Sequence, residues 1–577
     1  MPDFLKRSLI QDLRERGIVV EFSRLRLHWV RGLVAEDVRV GDTNMFDQPS
    51  LSLNQLQLRL DYRALLRRQL EIKEVILRQG KLVWPITATN TLTLDNIQSE
   101  LRFGENDVWS LDRFQADFAG AAFTLSGDIV HGSEIRNWEI LRGGKSTGVA
   151  NWRERLNTLY DVLQEIHFPH APQLSLVVNG DARNFHSFIV WLNVMAPAVQ
   201  TPWFDSQDFQ FASTLTVPAS APTNFDSAWG FWTNAQPFRL SWNARFAKLK
   251  TKGLDVNSFA CGGFWQAPEL TVTNLSAELG GGHDEAQARL NVATRQLTFT
   301  NSACFDFHAL AGLLTEKAQT AVRKATWRQS PLLQVDGSLV LPAWTNQRPD
   351  WQGEVPPKLQ LSGSLAVTNF AFEKLALDLA RADFSYSNRI WQLSDFWLAQ
   401  AKTVLWLDGG VDERTKNYNC RVRGAFDPTA IRPFLTASNE VHGLNQFKVT
   451  EPVALDVTVN GRWPDFDNID ASGRVALTNF AVRGQSIDNV AGALHYTNRV
   501  LKFFHPQLWR EDGTQTMKAD EITLDFRKLE IFFTNGFSTA DPEAVARAIG
   551  PKTGELMEPY RFLQPPSVRV NGCSPMR

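Results

Sequence analysis

The chain reads as mainly β: a repeating β-groove, made of a curled, open antiparallel sheet with short helices between units. Three observations predict it. A short phrase recurs five times, in which a proline opens a brief alternating strand that closes on Asn, Asp or Ser followed by Gly. The copies run from Pro172 to Asn179-Gly180, Pro331 to Asp336-Gly337, Pro357 to Ser362-Gly363, Pro452 to Asn460-Gly461 and Pro566 to Asn571-Gly572. Second, residues 362–389 align without a gap on 472–499, an offset of 472 − 362 = 110, with Ser-Gly, Thr-Asn-Phe, Asp378/Asp488, Tyr386/Tyr496 and Asn388-Arg389/Asn498-Arg499 in common. Third, the strands are one-sided, apolar on one face and polar on the other. Self-similarity of this kind marks a stacked array whose function belongs to a surface rather than to one pocket.

The elements follow in order. Residues 3–16 carry Phe4, Leu5, Leu9, Ile10 and Leu13 at helical spacing, with Gly17 as the stop. Strands then follow at 19–22, 25–29, 38–40 and 51–60. In the last of these Leu56, Leu58 and Leu60 share one face, and Gln57, Arg59 and Asp61 the other. Short helices are expected at about 150–166, 307–323, 428–436 and 541–549. Two open on Asp-Pro, at Asp427-Pro428 and Asp541-Pro542, which sets a capping carboxylate before a proline at the first helical position. Segments 218–232 and 344–357, rich in Pro, Asn, Asp and Trp, read as longer excursions. Domain limits fall at 1–90 (an N-terminal module), 91–330 (groove repeats with interposed helices), 331–450 and 451–560 (one repeat unit each), and 561–577, the opening of a further, incomplete unit with a raw sheet edge.

Bulk composition narrows the function classes. The 577 residues hold 60 basic and 62 acidic side chains, so no long-range field draws the chain to nucleic acid. The 38 Phe and 19 Trp stand beside a mean hydropathy of −0.24, a combination suited to half-buried strands. Cys261, Cys304, Cys420 and Cys573 are scattered, without a Cys-x-x-Cys pair, and support neither a zinc site nor a disulfide framework. No run approaches the 18 or more apolar residues of a membrane span; residues 188–199 come nearest and are broken by Asn193 and Pro197. Lys6, Arg7, Asp12 and Arg14 interrupt what would be the apolar core of a signal peptide.

Catalytic patterns are absent from the sequence. Residues 143–147 (Gly-Gly-Lys-Ser-Thr) lack the first glycine of a phosphate loop, the position being held by Glu139. Residues 280–283 (Gly-Gly-Gly-His) read as a hairpin tip, His167 and His170 find no third ligand, and Asp465 and Asp467 read as solvated turn residues. No catalytic, cofactor or metal residue is assigned and no enzyme is expected. Asp378/Asp488 and the Asn-Arg pairs read as turn and hairpin-end residues. A sheet with one apolar face and few helices to cover it curls on itself or meets another sheet. Curled but unclosed, about 30 strands at ~4.8 Å would line a trough on the order of 100 Å. Leu56, Leu58, Leu60, Leu361, Leu365, Val367, Val475 and Leu477 are its expected lining; the bland alternative is a closed sandwich core.

The opening stretch 14–27, the stretch 32–40, then Leu56–Tyr62, Leu65-Leu66, 70–77 and 80–84 resemble the N-terminal module of AsmA-like proteins. The later Gly-Ser-Leu-Ala-Val-Thr-Asn-Phe and Tyr-Ser-Asn-Arg pieces are similar to that family's repeating part, so the resemblance covers nearly the whole chain through diffuse motifs kept in order. It implies a bridge-like groove protein, anchored in the inner membrane by an N-terminal helix and reaching across the periplasm. It further implies that phospholipids move toward the outer membrane and that envelope integrity depends on this. The chain departs from the pattern in having no membrane helix before Phe4; a misplaced start, a trimmed anchor and a soluble member are the three explanations. Two rival functions share the same fold: a scaffold that assembles outer-membrane β-barrel proteins by strand augmentation, and a structural β-array.

Overall fold

A computed structural model describes the chain except residues 1–19, 29, 42–49, 67–70, 86–90, 119, 138–164, 220–226, 252, 373–374, 402, 428–444, 464 and 576–577. The expected helices at 3–16 and 428–436, almost all of 150–166 and the 143–147 turn lie outside the described residues. The fold is mainly β, with 32 strands and a few short helices among the described residues. Two compact units divide it: Met1–Arg295 with Ala343–Gln347, and Gln296–Pro342 with Arg348–Arg577.

In the first unit the short strands Val20–Glu21 and Arg24–His28 share one row beside Gly32–Val40. From there successive strands pair antiparallel through Ser50–Leu60, Ile72–Pro85, Thr91–Phe103, Trp109–Phe118 and Ala121–Val130. A parallel pairing of Ala121–Val130 with Gln173–Asp181 interrupts the meander. Antiparallel pairing then resumes through Asn184–Gln200, Phe204–Thr216, Arg239–Thr251, Leu254–Gln266 and Glu269–Leu279 to Gly282–Asn291. Gly280 and Gly281 have φ of 54° and 72°, and close the last hairpin as the expected tip.

The second unit repeats a single plan. A strand is followed 21 residues later by two short strands in one row. Thus Gln296–Cys304 leads through Phe307–Leu313 and Glu316–Lys324 to Ala325–Trp327 and Leu332–Val340. The last two pair side by side with the single long strand Gln360–Phe372. Likewise Asn417–Phe426 precedes Phe447–Val449 and Val453–Arg462, which pair with Asp465–Val482. The 110-residue offset is visible strand for strand: Leu375–Ser387 corresponds to Gln485–Thr497, and Ile390–Gln400 to Val500–Arg510.

Local chemistry explains these elements. Asn388-Arg389 and Asn498-Arg499 all have positive φ, 48° and 63° in one copy, 51° and 58° in the other, and close two-residue hairpins at Ser387↔Ile390 and Thr497↔Val500. Asparagine tolerates that region, and a turn with both central residues at positive φ matches strand twist. Asp378 works from a neighbouring strand: its Oδ2 accepts from the backbone N–H of Ala401 at 2.6 Å, where φ is 51°. The expected helix at 307–323 is broken in two, with Asp306 capping the first part through His308 N–H and Thr315 the second through Ala318 N–H. At 541–549 a single helix forms, Pro542–Ile549, capped by Asp541.

The glycine of the recurring phrase lies inside a strand, not at a turn. Gly180, Gly337 and Gly461 each carry an aromatic ring across the strand pair, and a Cβ there would fall closer than 3.0 Å to Phe188, Phe299 and Tyr418 respectively. Bare glycine lets the ring approach the backbone closely, which makes good the apolar contact that glycine lacks.

Single residues with positive φ inside strands perform a second task. Asn369 and Asn479 (48° and 50°) stand at equivalent places, as do Asp395 and His505 (48° and 47°), where the register slips by one residue. Such bulges reset the alternation. Around Asp37 (φ 51°) the effect is visible in the packing, because Ala35 and Val38, three residues apart, enter one cluster with Leu53 and Leu56. Without the reset, half of each long strand would turn its apolar side chains to the polar face.

Candidate functional site: an apolar sheet face

The site is a face of the sheet, built by register. Residues directly opposite on paired strands put their side chains on the same side. In the second unit one row runs Phe396, Leu407, Val422, Val457, Gly473, Leu494, Phe503, Ile522, Phe533, Gly572, each residue opposite the next. Every position is apolar or glycine. From Phe396 to Phe533 every side chain in it is half-buried.

The row one residue along, on the opposite face, runs Trp397, Trp406, Arg423, Asp456, Arg474, Ala493, Phe504, Glu521, Thr534. Ion pairs knit that face together. Arg421 binds Asp456 through both guanidinium arms at 2.8 Å, Arg423 meets Asp408 at 2.8 Å, and Lys502 meets Glu521 at 3.1 Å. The Arg421 guanidinium holds the Asp456 carboxyl below its ordinary pKa. The two arginine pairs are solvent-exposed and the lysine pair half-buried, so they mark the wet side of the sheet rather than its source of stability.

The expected lining residues stand opposite apolar residues, glycine or tyrosine in the register. In the second unit Leu361 stands between Gly337 and Tyr386, Leu365 between Leu333 and Ala382, and Val367 beside Ala380. Val475 stands between Leu455 and Gly492, and Leu477 beside Val490. In the first unit Leu56 stands between Ala35 and Leu77, Leu58 between Leu33 and Val75, and Leu60 beside Ile72. Leu60 and Val367 are buried at 8% and 7% exposure; the other six are half-buried.

Sequence reasoning missed most of the row, including Leu407, Val422, Leu494 and Phe503. Their alternation was readable within each strand, but the bulges at Asp395 and His505 change its phase. It also missed the aromatic part of the first unit, where Phe246 makes edge or tilted contacts with Phe204, Phe209 and Phe259. One thiol in each unit lies in apolar surroundings, since burial raises the pKa of both Cys261 and Cys420.

How the apolar face is covered follows from burial. Val38 and Val292 are fully buried among the described residues. Ile97, Trp265, Leu53 and Leu279 follow at 2–4% exposure, so parts of the first unit form closed core. Two sheets closed face to face would bury apolar residues completely, because sandwich interiors pack like crystals. In the second unit the row from Phe396 to Phe533 is only half-buried, so that row is open at its surface.

Polar constellations do not form a competing site. Glu74 lies almost buried between Arg59 (2.7 Å) and Arg102 (3.3 Å), and burial raises its carboxyl pKa while the neighbouring Glu100 pushes the same way. Arg102 in turn lowers Glu100. His131 Nδ1 meets Asp181 at 2.9 Å at a strand end. His167 joins Gln200 by a backbone bridge, and among the described residues no three His, Cys, Asp or Glu side chains are grouped to hold a metal. A shallow concavity of about 330 Å3 on the first unit is lined by Ser175, Trp191, Asn193, Thr214 and Asn243. Among the described residues no helix is long and apolar enough to cross a membrane. No family model matches the chain, and no curated protein matches it.

Proposed function

We propose that the apolar face binds phospholipid acyl chains and that the protein is a bridge-like lipid-transfer protein of the AsmA-like kind. It works in the periplasm between inner and outer membranes and supports envelope integrity. The observation that carries this reading is the half-buried apolar row from Phe396 to Phe533 backed by an ion-paired face. Within the second unit about fourteen strand rows at ~4.8 Å give such a face a length of about 60 Å. A two-chain lipid crossing water exposes roughly 30 methylenes at about 0.8 kcal/mol each, a barrier on the order of 25 kcal/mol. A continuous apolar face removes most of it and needs no catalytic residue.

The test is a set of charged substitutions on the row, Leu407→Asp, Val457→Asp and Leu494→Asp, singly and together. Lipid binding of the folded variants, followed with a fluorescent phospholipid, is expected to fall stepwise. A triple variant that is folded and binds as wild type removes the reading. Asp substitutions at Arg423, Arg474 and Thr534 on the wet face are expected to leave binding within twofold.

A further inference from the structure

The apolar face of the second unit carries one charge at its rim. Val411, Tyr418 and Gly461 stand four residues along their strands from Leu407, Val422 and Val457, so they lie on the same face, about 13 Å nearer the hairpin ends. Register extends this row through Trp391 to Tyr386. Tyr386 is buried, while Trp391, Val411 and the neighbouring Leu393 are exposed. The rings of Tyr386 and Trp391 pack with centroids 4.7 Å apart.

Glu413 follows the strand that holds Val411. Its Oε2 accepts from the Tyr386 hydroxyl at 3.1 Å and its Oε1 from the Trp391 indole N–H at 2.9 Å. Both donors are neutral, and burial together with the Glu413 carboxylate raises the pKa of the Tyr386 hydroxyl, which keeps its proton. Among the described residues no basic side chain comes within ion-pairing distance of Glu413: Arg414 meets Asp412 at 3.4 Å, and Arg389 donates to the Gln352 carbonyl at 3.0 Å. The carboxylate is thus aimed by two hydrogen bonds, keeps its charge, and has acceptor sites left over. Beside it lies the exposed part of an indole ring, a surface that attracts cations.

The repeat shows that the fold does not require this group. The Glu413 N–H donates to the Arg389 carbonyl at 2.9 Å, and in the other copy the Phe526 N–H donates to the Arg499 carbonyl at 3.1 Å. The turns match as well, since Asp412 accepts from Arg414 N–H at 2.7 Å and Asp525 from Arg527 N–H at 2.9 Å. Tyr386 has its counterpart in Tyr496, but Trp391 is replaced by Leu501 and Glu413 by Phe526. One copy therefore builds the same hairpins without the carboxylate or the indole.

We infer that Glu413 and Trp391 form a seat for the primary ammonium of a phospholipid headgroup, so that the lipid class favoured by this face is the ethanolamine type. The inference rests on the acyl-chain reading of the face and adds the headgroup to it. A primary ammonium donates charge-assisted hydrogen bonds to the carboxylate and lies against the indole. The trimethylammonium of a choline lipid has no such donor, and a glycerol headgroup brings no positive charge.

The test loads the full chain, purified without detergent, from vesicles of equal parts phosphatidylethanolamine, phosphatidylcholine and phosphatidylglycerol with the same acyl chains. Lipids carried by the protein are then quantified by mass spectrometry. Wild type is expected to carry the ethanolamine lipid in about fivefold excess over each of the others. In Glu413→Gln the lipid still carried should return to the vesicle proportions. Glu413→Phe and Trp391→Leu, which install the residues of the other copy, should lower the preference in a framework known to form the same hairpins. Wild-type protein that carries the three lipids in vesicle proportions, or ethanolamine and choline lipids equally, overturns the seat and leaves the acyl-chain reading in place, as does a Glu413→Gln variant that keeps the preference. Protein that takes up none of the three overturns both.

Discussion

The packing of Phe299 over Gly337 gives a prediction that can be worked through. Gly337→Ala adds one methyl at a place closer than 3.0 Å to the Phe299 ring and to Leu361. The backbone there is ordinary strand, so cost arises from overpacking, about 1–3 kcal/mol. Replacing glycine also stiffens the unfolded chain, which returns about 0.4–1 kcal/mol. The net loss is about 1–2 kcal/mol, and local opening of the strand pair should become about 5- to 30-fold more frequent. Hydrogen exchange of peptides covering 296–304 and 332–340 reads that opening. In a Phe299→Ala background the same change should be neutral or slightly stabilising, which gives a coupling of about 1–2 kcal/mol. Equal cost in both backgrounds, or no cost in the first, would refute the fit of ring over glycine as the reason for the recurring phrase.

Three further expectations follow from named contacts. Asn388→Val puts a β-branched residue at φ 48° and should loosen the hairpin around Ser387 and Ile390 by about 1–2 kcal/mol, seen as faster exchange there. Asp378→Ala removes the acceptor of Ala401 N–H and should cost about 1 kcal/mol, with exchange rising at 400–403 and not at 388–389. For Asp456 the folded pKa is lowered by Arg421, so its contribution is present above the unfolded carboxylate value near 3.9 and is lost as pH falls through the lower folded one. Asp456→Asn should therefore flatten the melting temperature against pH below about 4 and leave its pH dependence between 6 and 8 unchanged.

Much of this fold is legible in the sequence because its signals are local. Asn-Arg pairs at positive φ, Asp before Pro at a helix start, Gly-Gly hairpin tips and strict alternation each act within a few residues. The 110-residue repeat is legible because equivalent strands keep the same bulges and turns. What escapes sequence reading depends on partners far along the chain. The glycine of the phrase looks like a turn residue until Phe188, Phe299 and Tyr418 are seen across it. The apolar row escapes for a related reason, since a single αL residue such as Asn369 or Asp395 exchanges the two faces of a strand, and alternation counted straight through it assigns half the strand to the wrong side. Straight alternation holds where no bulge intervenes, as along Leu361, Leu365 and Val367, whose register partners are Tyr386, Ala382 and Ala380.

The central claim is an apolar face open to acyl chains, and its most direct test is mass spectrometry of lipids extracted from the full chain purified without detergent. The account predicts phospholipid at or above one molecule per protein, reduced in the Leu407→Asp, Val457→Asp, Leu494→Asp variant. A folded wild-type protein that carries no lipid and takes up none from phospholipid vesicles would contradict it.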